Sequence, residues 1–550
     1  MYNLKKAFNI AVVLTASLTV ATAQNHPYSW QHLPKAAVPV FKKDTFNIVK
    51  YGAKADGITL NTKSINNAIS DCSAKGGGVV VIPQGLWVTG PVVLKSNVNL
   101  HVSRAAILQF TDDKSQYKLV EGNFEGHVAV RNESPISGTN LQNIAITGDG
   151  VIDGHGDVWR AIGKERLSEN EWKALTNSGG IVSENGKTWY PSQSYVNGLK
   201  TPEAGLLNNG KKVSDYESMK DFFRPNMLVL TNCKKVLLQD VTVQNSPAWC
   251  LHTLLCEDLT LKGVRVRNPW NAQNGDGIDV ESCKNVLIEN STFDAGDDGI
   301  CVKSGRDEEG RRRGKPTENM EVRNDVVYRA HGGFVIGSEM SGGARNIFVS
   351  DCSFIGTDVG LRFKTARGRG GVVEDIYVKN ISMRNIVTDA ILFDMYYMGK
   401  NPGDDSGDKP EVLLPVTEAT PQFKNFYVDN VVCDGAARGI EVRGLPEMSI
   451  KNIHLQNLVL KTTKGVDITE GEGITLKNVY LQCSDTNPLF NLYNSRQVTL
   501  DHISFAKADL LFKVSGKRAA GIKVLNTAVE KAAKQTEFKG VEASTLTMVK

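Results

Sequence analysis

The sequence has little that would tie the protein to a membrane or to a nucleic acid. Of its 550 residues, 41% are hydrophobic and 23% are charged, and the formal net charge is only +4. Lys and Arg are dispersed among comparable numbers of Asp and Glu, unlike the basic patches of nucleic-acid-binding proteins. No stretch approaches the roughly 20 consecutive apolar residues of a transmembrane helix. We therefore expect no membrane anchor and no nucleic-acid partner.

Cysteine chemistry is also sparse. The nine cysteines are an odd number, they form no Cys-x-x-Cys pair, and no histidine stands at the spacing of a zinc site. We expect them to be small buried hydrophobic residues, and the alternative that the sequence leaves open is one or two disulfides in an oxidising compartment. The sequence accordingly predicts no metal and no cofactor, and it leaves the oligomeric state undetermined.

The N-terminus has the three parts of a secretory signal. Lys5 and Lys6 precede an apolar run over residues 7–20 that is too short to span a bilayer. Ala21-Thr22-Ala23 then provides a small-x-small cleavage site. We expect residues 1–23 to be removed after Ala23 and the protein to be periplasmic or secreted, with an N-terminal extension over 24–45.

Long amphipathic helices are missing from the rest of the chain, and a short repeated strand takes their place. Apolar and polar residues alternate in KVLLQD at Val236, DLTLKG at Leu259 and NVLIEN at Val286, at steps of 23 and 27 residues. A second strand, Gly-apolar-x-apolar, follows, as in GIDV at Gly277 and GICV at Gly299. Strands at this period without helices predict an all-β solenoid, a right-handed parallel β-helix.

The repeat sets the expected domain boundaries. We predict the β-helix over residues 46–530 and a C-terminal tail over 531–550. Residues 61–77 read as a helix that closes the N-terminal end. Long loop insertions break the pattern, above all the excursion 158–224, which is rich in Trp, Tyr, Asn, Gly and Lys and has no repeats. Loops of this length inside a solenoid are usually functional or poorly ordered, and we expect this one to wall a groove.

Charged residues of distant segments should meet on consecutive coils. Aligning the second strands on Ile278, Ile300, Phe334 and Leu361 makes the positions two residues earlier equivalent. Neighbouring parallel strands are about 4.8 Å apart, so residues at equivalent positions stack. Asp276 and Asp298 occupy this position and should stack. Asp297 and His331 stand three residues before their anchors and form a second column beside them, and Arg362 and Lys364 point to one face of the following coil.

Each member of this group, taken alone, is more typical of a structural residue. An Asp beside Gly is usually a turn residue, which is the interpretation favoured for Asp279. A single His at a strand edge usually makes a structural hydrogen bond, and an Arg-x-Lys strand is usually a solvated face. Their coincidence on consecutive coils is what predicts a site. Paired carboxylates cleave a glycosidic bond as acid and base, and adjacent cations bind a carboxylate, as on a uronic acid.

At these residues the chain resembles the polygalacturonase family, glycoside hydrolase family 28. The resemblance is carried by four segments in order, and it extends from Phe46 to about residue 510. One segment departs from the family, which usually has Thr where this chain has Gly275. The segments are Asn274-Gly275-Asp276, Asp297-Asp298, His331-Gly332 and Arg362-Phe363-Lys364.

The resemblance implies a pectin-lyase-like fold, a pectic substrate and a role for each residue. Asp297 would be the general acid, and Asp276 and Asp298 would activate water, which gives an inverting hydrolysis of α-galacturonosidic bonds. His331 would tune or orient the acid. Substrate binding would fall to Asn274, Arg362 and Lys364.

The segment 303–319 between the Asp pair and His331 looks like that of exo-acting members. Its arginines, Arg306 and Arg311 to Arg313, either meet a second carboxylate or form a solvated loop. With the excursion 158–224, this segment predicts exo-action. Two other functions stay open: a pectate-lyase-type eliminase that binds Ca²⁺ through the aspartates, and a non-catalytic carbohydrate-binding β-solenoid.

Overall fold

Fourteen short parallel strands, taken from successive turns of the chain, form the sheet that carries the predicted site. The computed structural model describes residues 27–207, 210–398 and 413–549. Each strand pairs in parallel with the one before and the one after it in chain order. The fold is therefore the right-handed parallel β-helix predicted from the repeat. The strands are Val92–Val93, Ile136–Thr139, Leu228–Thr231, Leu251–Leu254, Ile278–Glu281, Asp298–Lys303, Gly332–Ile336, Leu361–Lys364, Asp389–Asp394, Arg438–Arg443, Lys464–Thr469, Phe490–Tyr493, Leu510–Ser515 and Lys534–Lys539.

A second, 24-stranded sheet forms the other faces of the coils. In the early coils two short strands follow one another, and from residue 344 onward they merge into one long strand per coil. The strands are Thr45–Asn47, Asp56–Leu60, Gly78–Ile82, Gly85–Thr89, Val98–Val102, Ala106–Phe110, Gln142–Thr147, Val151–Asp153, Lys234–Gln239, Thr242–Gln244, Glu257–Lys262, Arg265–Arg267, Lys284–Glu289, Thr292–Asp294, Thr317–Arg323, Val326–Tyr328, Ala344–Ile355, Val372–Arg384, Gln422–Asp434, Ile450–Thr462, Gly471–Cys483, Thr499–Phe505, Ile522–Leu525 and Leu546–Val549.

The register of the fourteen-stranded sheet is the one that the alignment predicted. Ile278 pairs with Ile300, Ile300 with Phe334, and Phe334 with Leu361. All four side chains are fully buried in the core. Because strand side chains alternate, the residues next to each of these four in the sequence point out of the coil, toward the predicted site.

The Asn that begins several repeats has a conformational reason. Asn285, Asn319 and Asn346 adopt φ of 55°, 58° and 54°, a left-handed conformation that Asn tolerates better than most residues. Their side-chain amides also bond from coil to coil, Asn346 to Asn319 at 3.1 Å and Asn319 to Asn285 at 3.3 Å. These bonds satisfy polar groups at the corner of each coil.

The N-terminal end is closed as predicted, whereas the C-terminal boundary differs. The helix Thr62–Ala74 buries Ile65 and its other apolar positions against the first coils. At the other end, strands Lys534–Lys539 and Leu546–Val549 pair with the preceding coil. The coils therefore continue past residue 530, and the prediction of a tail over 531–550 was wrong. These strands lack the Asn-rich repeat by which the earlier coils were recognised.

The insertions have secondary structure of their own. The excursion 158–224 contains helices Glu169–Asn177 and Gln193–Leu199 and a small sheet of Ile162–Gly163, Ile181–Val182 and Thr188–Tyr190. Two further insertions are an antiparallel hairpin, Leu119–Phe124 with His127–Asn132, and a helix, Asp307–Arg313. Short 3-10 helices span Ile48–Tyr51, Lys114–Gln116, Gly156–Trp159, Lys164–Arg166, Val213–Phe222, Val529–Lys531 and Ala543–Thr545.

Two expectations from composition can be compared with the described residues. Eight of the nine cysteines are buried, Cys483 is half-buried, and none is disulfide-bonded. Across residues 27–207, 210–398 and 413–549, no helix is long and apolar enough to cross a membrane. The predicted signal over residues 1–23 lies outside the described residues.

Candidate active site

Three carboxylates meet on the outer face of the fourteen-stranded sheet. Asp276 precedes strand Ile278–Glu281, and Asp297 and Asp298 stand at the start of the next strand. One oxygen of each carboxylate lies within 4.8 Å of one oxygen of each of the other two. The structure thus brings together the three aspartates that the sequence predicted to stack.

Asp276 is held in an environment that disfavours its charge. It is 2% exposed, and burial, together with the nearby Asp279 and Asp297, raises its pKa well above the usual value against the opposing effect of Lys303. Its Oδ1 is buried and has no hydrogen-bond partner among the described residues. Buried polar atoms are nearly always bonded, so this oxygen is available to a water or a substrate hydroxyl.

Asp298 has the opposite environment. Burial disfavours its charge, but the ammonium of Lys364, 2.7 Å from Oδ2, and the guanidinium of Arg362, 3.2 Å from Oδ1, outweigh burial. Together with Lys303 they hold the pKa of Asp298 well below its usual range. Two carboxylates with pKa values shifted apart are the arrangement that acid–base catalysis requires.

His331 contacts the third carboxylate directly. Its Nδ1 lies 3.1 Å from Oδ1 of Asp297, and its Nε2 lies 3.8 Å from Oδ2 of Asp358. The hydrogen bond to Asp297 raises the pKa of His331, although burial opposes the shift. The backbone N–H of His331 also donates to the Asp297 carbonyl at 2.8 Å. The structure thus places His331 beside Asp297, as the alignment of the coils predicted.

Arg362 and Lys364 lie at the site but already have a partner. Both were predicted to bind a carboxylate of the substrate, and both donate to Asp298. Arg362 also donates to the His331 carbonyl at 3.3 Å and retains a buried Nε without a hydrogen bond among the described residues. The two cations therefore set the charge of Asp298, and any contact with substrate is additional to that.

Asn274 is fixed by an arginine that the sequence analysis did not single out. Arg224, the last residue of the long excursion, donates to Oδ1 of Asn274 at 2.8 Å and to the carbonyls of Gln273 and Pro247 at 2.6 and 3.0 Å. Hydrogen bonds from charged groups contribute about 1.5–3 kcal/mol each. Arg224 thus ties the excursion to the loop that carries Asp276.

A buried ionic cluster lies beside the carboxylates and was also missed. Lys303, five residues after Asp298, lies 2.9 Å from Glu339 and 3.6 Å from Asp279, with its ammonium 4.8 Å from the Trp249 ring centre. The turn role favoured for Asp279 was wrong, because this residue lies fully buried within a strand. The period-two alternation contained the signal, since it places Asp279 and Lys303 on the outward face.

The arginines of the segment after Lys303 divide into two groups. Arg313 binds Glu281 at 2.6 Å, and Arg311 donates to the carbonyl of Arg369, so both hold the insertion in place. Arg306 instead reaches the site, and Arg312 is exposed. Neither of the two alternatives left open for these residues describes the whole group.

A pocket of about 200 Å³ extends from the carboxylates. It is open to solvent but has a wall on one side, and it is called the closed pocket below after that wall. Its wall includes Glu125, at the tip of the hairpin, which accepts a 3.0 Å hydrogen bond from Arg306. Asp307 joins Arg306, at 3.4 Å, to Arg369, at 2.6 Å, so that two guanidinium groups share one carboxylate. Lys303 and Lys364 also line this pocket, which makes it rich in cations as well as in carboxylates.

A second, larger pocket of about 470 Å³ adjoins the same carboxylates and is called the open pocket below. Asn274 and Asp297 line both pockets. In the sequence, the other residues of the open pocket come before strands of the fourteen-stranded sheet, whereas several residues of the closed pocket come after such strands. Asp297 therefore stands between two cavities of different character. The remaining lining residues are Arg166, Trp270, Asn271, Gln273, Gly296, Arg329, His331 and Asp358.

The three carboxylates are also the arrangement that a divalent cation would need. Asp276, Asp297 and Asp298 are the only group of three or more such ligands found in the described residues. Calcium usually takes six to eight oxygen ligands. Two of the possible ligand atoms, both oxygens of Asp298, already accept from Arg362 and Lys364. A metal would have to compete with these cations.

Comparison with known proteins identifies the same region. The sequence model of Glycosyl hydrolases family 28 matches residues 176–412, which include all seven predicted site residues. A model described as Rhamnogalacturonase A/epimerase, pectate lyase-like, matches residues 45–214.

Individual relatives agree with the family models. The chain is 28% identical to a probable polygalacturonase of Vitis vinifera, over 75% of this chain and 74% of that protein. It is 27% identical to an exo-poly-alpha-D-galacturonosidase of Dickeya chrysanthemi, over 72% of this chain and 64% of that protein. Among solved structures, a hyperthermoactive exopolygalacturonase from Thermotoga maritima matches with a TM-score of 0.65 and 29% identity, covering 81% of this chain and 94% of that one.

Proposed function

We propose that this glycoside hydrolase, which is similar to Glycosyl hydrolases family 28 over residues 176–412, removes galacturonate from the ends of pectic polysaccharides or oligogalacturonides. The observation that carries the proposal is the group of three carboxylates with oxygens within 4.8 Å of one another, surrounded by lysines and arginines. Carboxylates supply the acid and the base of glycoside hydrolysis, and cations attract a uronic acid.

Each carboxylate has a proposed role. Asp297, which lines both pockets and contacts His331, protonates the departing glycosidic oxygen. Asp298, held ionised by Lys364 and Arg362, activates the attacking water together with Asp276. Asp276 has a raised pKa and so loses its proton at a higher pH than an ordinary Asp. If Asp276 must lose its proton before it can activate water, its raised pKa sets the acid limb of the pH–activity profile, where activity rises with pH.

The stereochemical outcome is proposed from the family resemblance and not from spacing. Inverting enzymes generally separate their carboxyl groups by about 6.5–9.5 Å, whereas one oxygen of each carboxylate here lies within 4.8 Å of the others. We propose inversion because the family resemblance implies that Asp276 and Asp298 activate one water for attack on the face opposite the leaving group. Proton NMR of the first product decides it: the β-anomer supports inversion of an α-linkage, and the α-anomer contradicts it.

Exo-action is proposed from the closed pocket. An enzyme that cuts within a polymer needs a groove that continues on both sides of the acid. On one side of Asp297, the hairpin tip at Glu125 and the segment bearing Arg306 wall the pocket. We propose that this pocket receives the terminal galacturonate, whose carboxylate meets Arg306 and Arg369. The excursion 158–224, which supplies Arg166 and Arg224, contributes to the other side.

The competing eliminase is tested by its requirement for a metal. A pectate-lyase-type reaction needs Ca²⁺ at the aspartates and produces an unsaturated uronate that absorbs ultraviolet light. We expect full activity in excess EDTA and no such absorption. Loss of activity with the chelator, restored by Ca²⁺, would replace the hydrolase proposal with the eliminase.

The cellular location also belongs to the proposal. A secretory signal over residues 1–23 would deliver the enzyme to the periplasm or the exterior, where pectic fragments are found. Fractionation of cells that express the whole chain tests this point. N-terminal sequencing of the mature protein should begin at Gln24.

The experiment that tests the proposed function is product analysis on a panel of galacturonate-containing substrates. Homogalacturonan, oligogalacturonides, rhamnogalacturonan and xylogalacturonan should be compared at equal concentration of chain ends. We expect monogalacturonate as the main early product from homogalacturonan or its oligomers. No release of reducing sugar from any member would contradict the proposal and favour a non-catalytic binding solenoid.

A further inference from the structure

The open pocket contains an exposed tryptophan. Trp270 is 53% exposed, although large aromatic side chains in this chain are mostly buried. It lies in the loop between strands Arg265–Arg267 and Ile278–Glu281, six residues before Asp276. The loop is anchored just before the tryptophan, where Asn268 donates to the Gly275 carbonyl at 3.1 Å. Large aromatic side chains usually bury about 150–250 Å² each, so a tryptophan that is held in place but exposed to water is unusual.

An arginine from the long excursion contacts this tryptophan. The guanidinium carbon of Arg166 lies 4.3 Å from the Trp270 ring centre, within the range of a cation–π contact. Arg329 is a second cation of the same pocket, and its side chain is 56% exposed while bound to Asp294. The pocket thus has one exposed aromatic ring and two cations beside Asp297 and His331.

We propose that Trp270 and Arg166 form the subsite for the sugar unit on the leaving-group side of the bond, a galacturonate or another uronic acid. The proposal rests on the proposed function, since it takes Asp297 as the acid. The acid must lie between the two sugars that it separates, and Asp297 lies between the two pockets. If the closed pocket takes the terminal unit, the open pocket takes the rest of the chain.

The chemistry of the pocket fits such a sugar. A pyranose ring has a face of C–H groups, which carry partial positive charge and pack on the electron-rich face of an indole. The carboxylate of a uronic acid would meet Arg166, a donor with five N–H groups. Arg329 is already paired with Asp294, so it contributes mainly to the local potential. The open rim lets a chain continue outward, which a polymer end requires.

Two substrates separate this subsite from the rest of the site. Digalacturonate places a sugar in the open pocket, whereas α-galacturonosyl fluoride carries the same terminal unit without one. For Trp270→Ala, we expect kcat/KM on digalacturonate to fall about tenfold, equivalent to about 1.4 kcal/mol. The loss on the fluoride should be at least fivefold smaller. Trp270→Phe should recover part of the loss, and Arg166→Gln should share the selective loss.

A matched control is Tyr480→Ala, since Tyr480 is an exposed aromatic residue on strand Gly471–Cys483 and lines neither pocket. It should act on both substrates like the unchanged chain. Equal losses on the two substrates with Trp270→Ala, or no loss on digalacturonate, would overturn the subsite while leaving the proposed function in place. Failure of the unchanged chain on both substrates would contradict the proposed function itself.

A binding measurement is independent of turnover. Asp297→Asn, which should bind without cleaving, can be titrated with tetragalacturonate by calorimetry. Adding Trp270→Ala to this variant should weaken binding about tenfold, with melting temperatures compared to show that both proteins are folded. Unchanged affinity would contradict the subsite.

Discussion

The closed and open pockets share Asp297 but are built in different ways. The closed pocket is walled by the hairpin tip at Glu125 and by Arg306, which directly precedes the helix Asp307–Arg313, and its cations bind to neighbouring carboxylates. The open pocket has more than twice the volume, an exposed tryptophan and a rim of loops. Under the proposed exo-action, the insertions and not the coils would decide between exo- and endo-cleavage, since the coils continue on both sides of Asp297.

The origin of the walls explains why the asymmetry is possible. A solenoid coil is supported by its neighbours, so insertions at its turns can be long without loss of the core. The closed pocket takes its wall from residues 119–132 and 306–313, and the open pocket takes Arg166 from the excursion 158–224. Different insertions on the same coils would give a groove open at both ends.

The largest expected effect comes from removing one of the three clustered carboxylates, of which Asp297 lines both pockets. Asp276→Asn, Asp297→Asn and Asp298→Asn should each lower kcat by about 10²–10⁴-fold, the usual contribution of a general acid or base. Each variant should keep the fold, and far-ultraviolet circular dichroism and the melting temperature check this. Near-normal turnover by any of the three would remove that residue from the mechanism.

A smaller effect would distinguish the closed pocket from the open one. Arg306→Gln and Arg369→Gln each remove a charged donor beside the terminal sugar, and such bonds contribute about 1.5–3 kcal/mol. We expect kcat/KM on digalacturonate to fall about 10- to 100-fold. The fall should be much smaller when the terminal carboxylate is methyl-esterified.

The matched control for these arginines is Arg312→Gln. Arg312 lies in the helix Asp307–Arg313 that directly follows Arg306 and has the same charge, but it is exposed and does not line the closed pocket. It should behave as the unchanged chain does. If free and esterified ends lost activity equally with Arg306→Gln, the closed pocket would not recognise a carboxylate.

The smallest predicted effect concerns the pH dependence of activity and depends on His331, which lines the open pocket. Asp297 raises the pKa of His331, so the imidazolium persists to a higher pH than that of a free histidine. Activity should therefore decline as pH rises through this raised pKa, and His331→Gln should remove that limb from the profile of kcat/KM. An unchanged basic limb in His331→Gln would show that another group titrates there.

The same shift has a stability consequence with a definite sign. A histidine with a raised pKa in the folded state stabilises the fold below its unfolded pKa of about 6.5 and loses that contribution as pH rises through the folded value. The difference in melting temperature between the unchanged chain and His331→Gln should thus shrink at alkaline pH. A difference that grew with pH would contradict the contact with Asp297.

The coils could be predicted from the sequence because each coil repeats the same alternation of apolar and polar residues. Alternation at Ile278, Ile300, Phe334 and Leu361 sets both the register and the inward face. Register then stacks the aspartates without any knowledge of the loops. The same alternation could have predicted the position of Lys303, because Lys303 lies on the outward face, as Asp279 does, on the neighbouring coil.

The walls could not be predicted in this way. Nothing near Glu125 or Arg224 repeats, and both reach the site through insertions whose path depends on tertiary contacts. Arg224, for example, meets Asn274 from a position 50 residues away. Asp279 was misassigned for a different reason, because the turn interpretation did not use the period-two alternation that places this residue on the outward face of its strand.

If the wall on one side of Asp297 stops the polymer, long polygalacturonate should be cut only at its ends, and a time course on this substrate tests that. Viscosity and reducing ends should be followed together from the first seconds of the reaction. We expect reducing ends to rise while viscosity falls little, with monogalacturonate as the early product. A steep early fall in viscosity with mixed oligomers would show that the polymer passes through both pockets, and it would contradict the closed pocket.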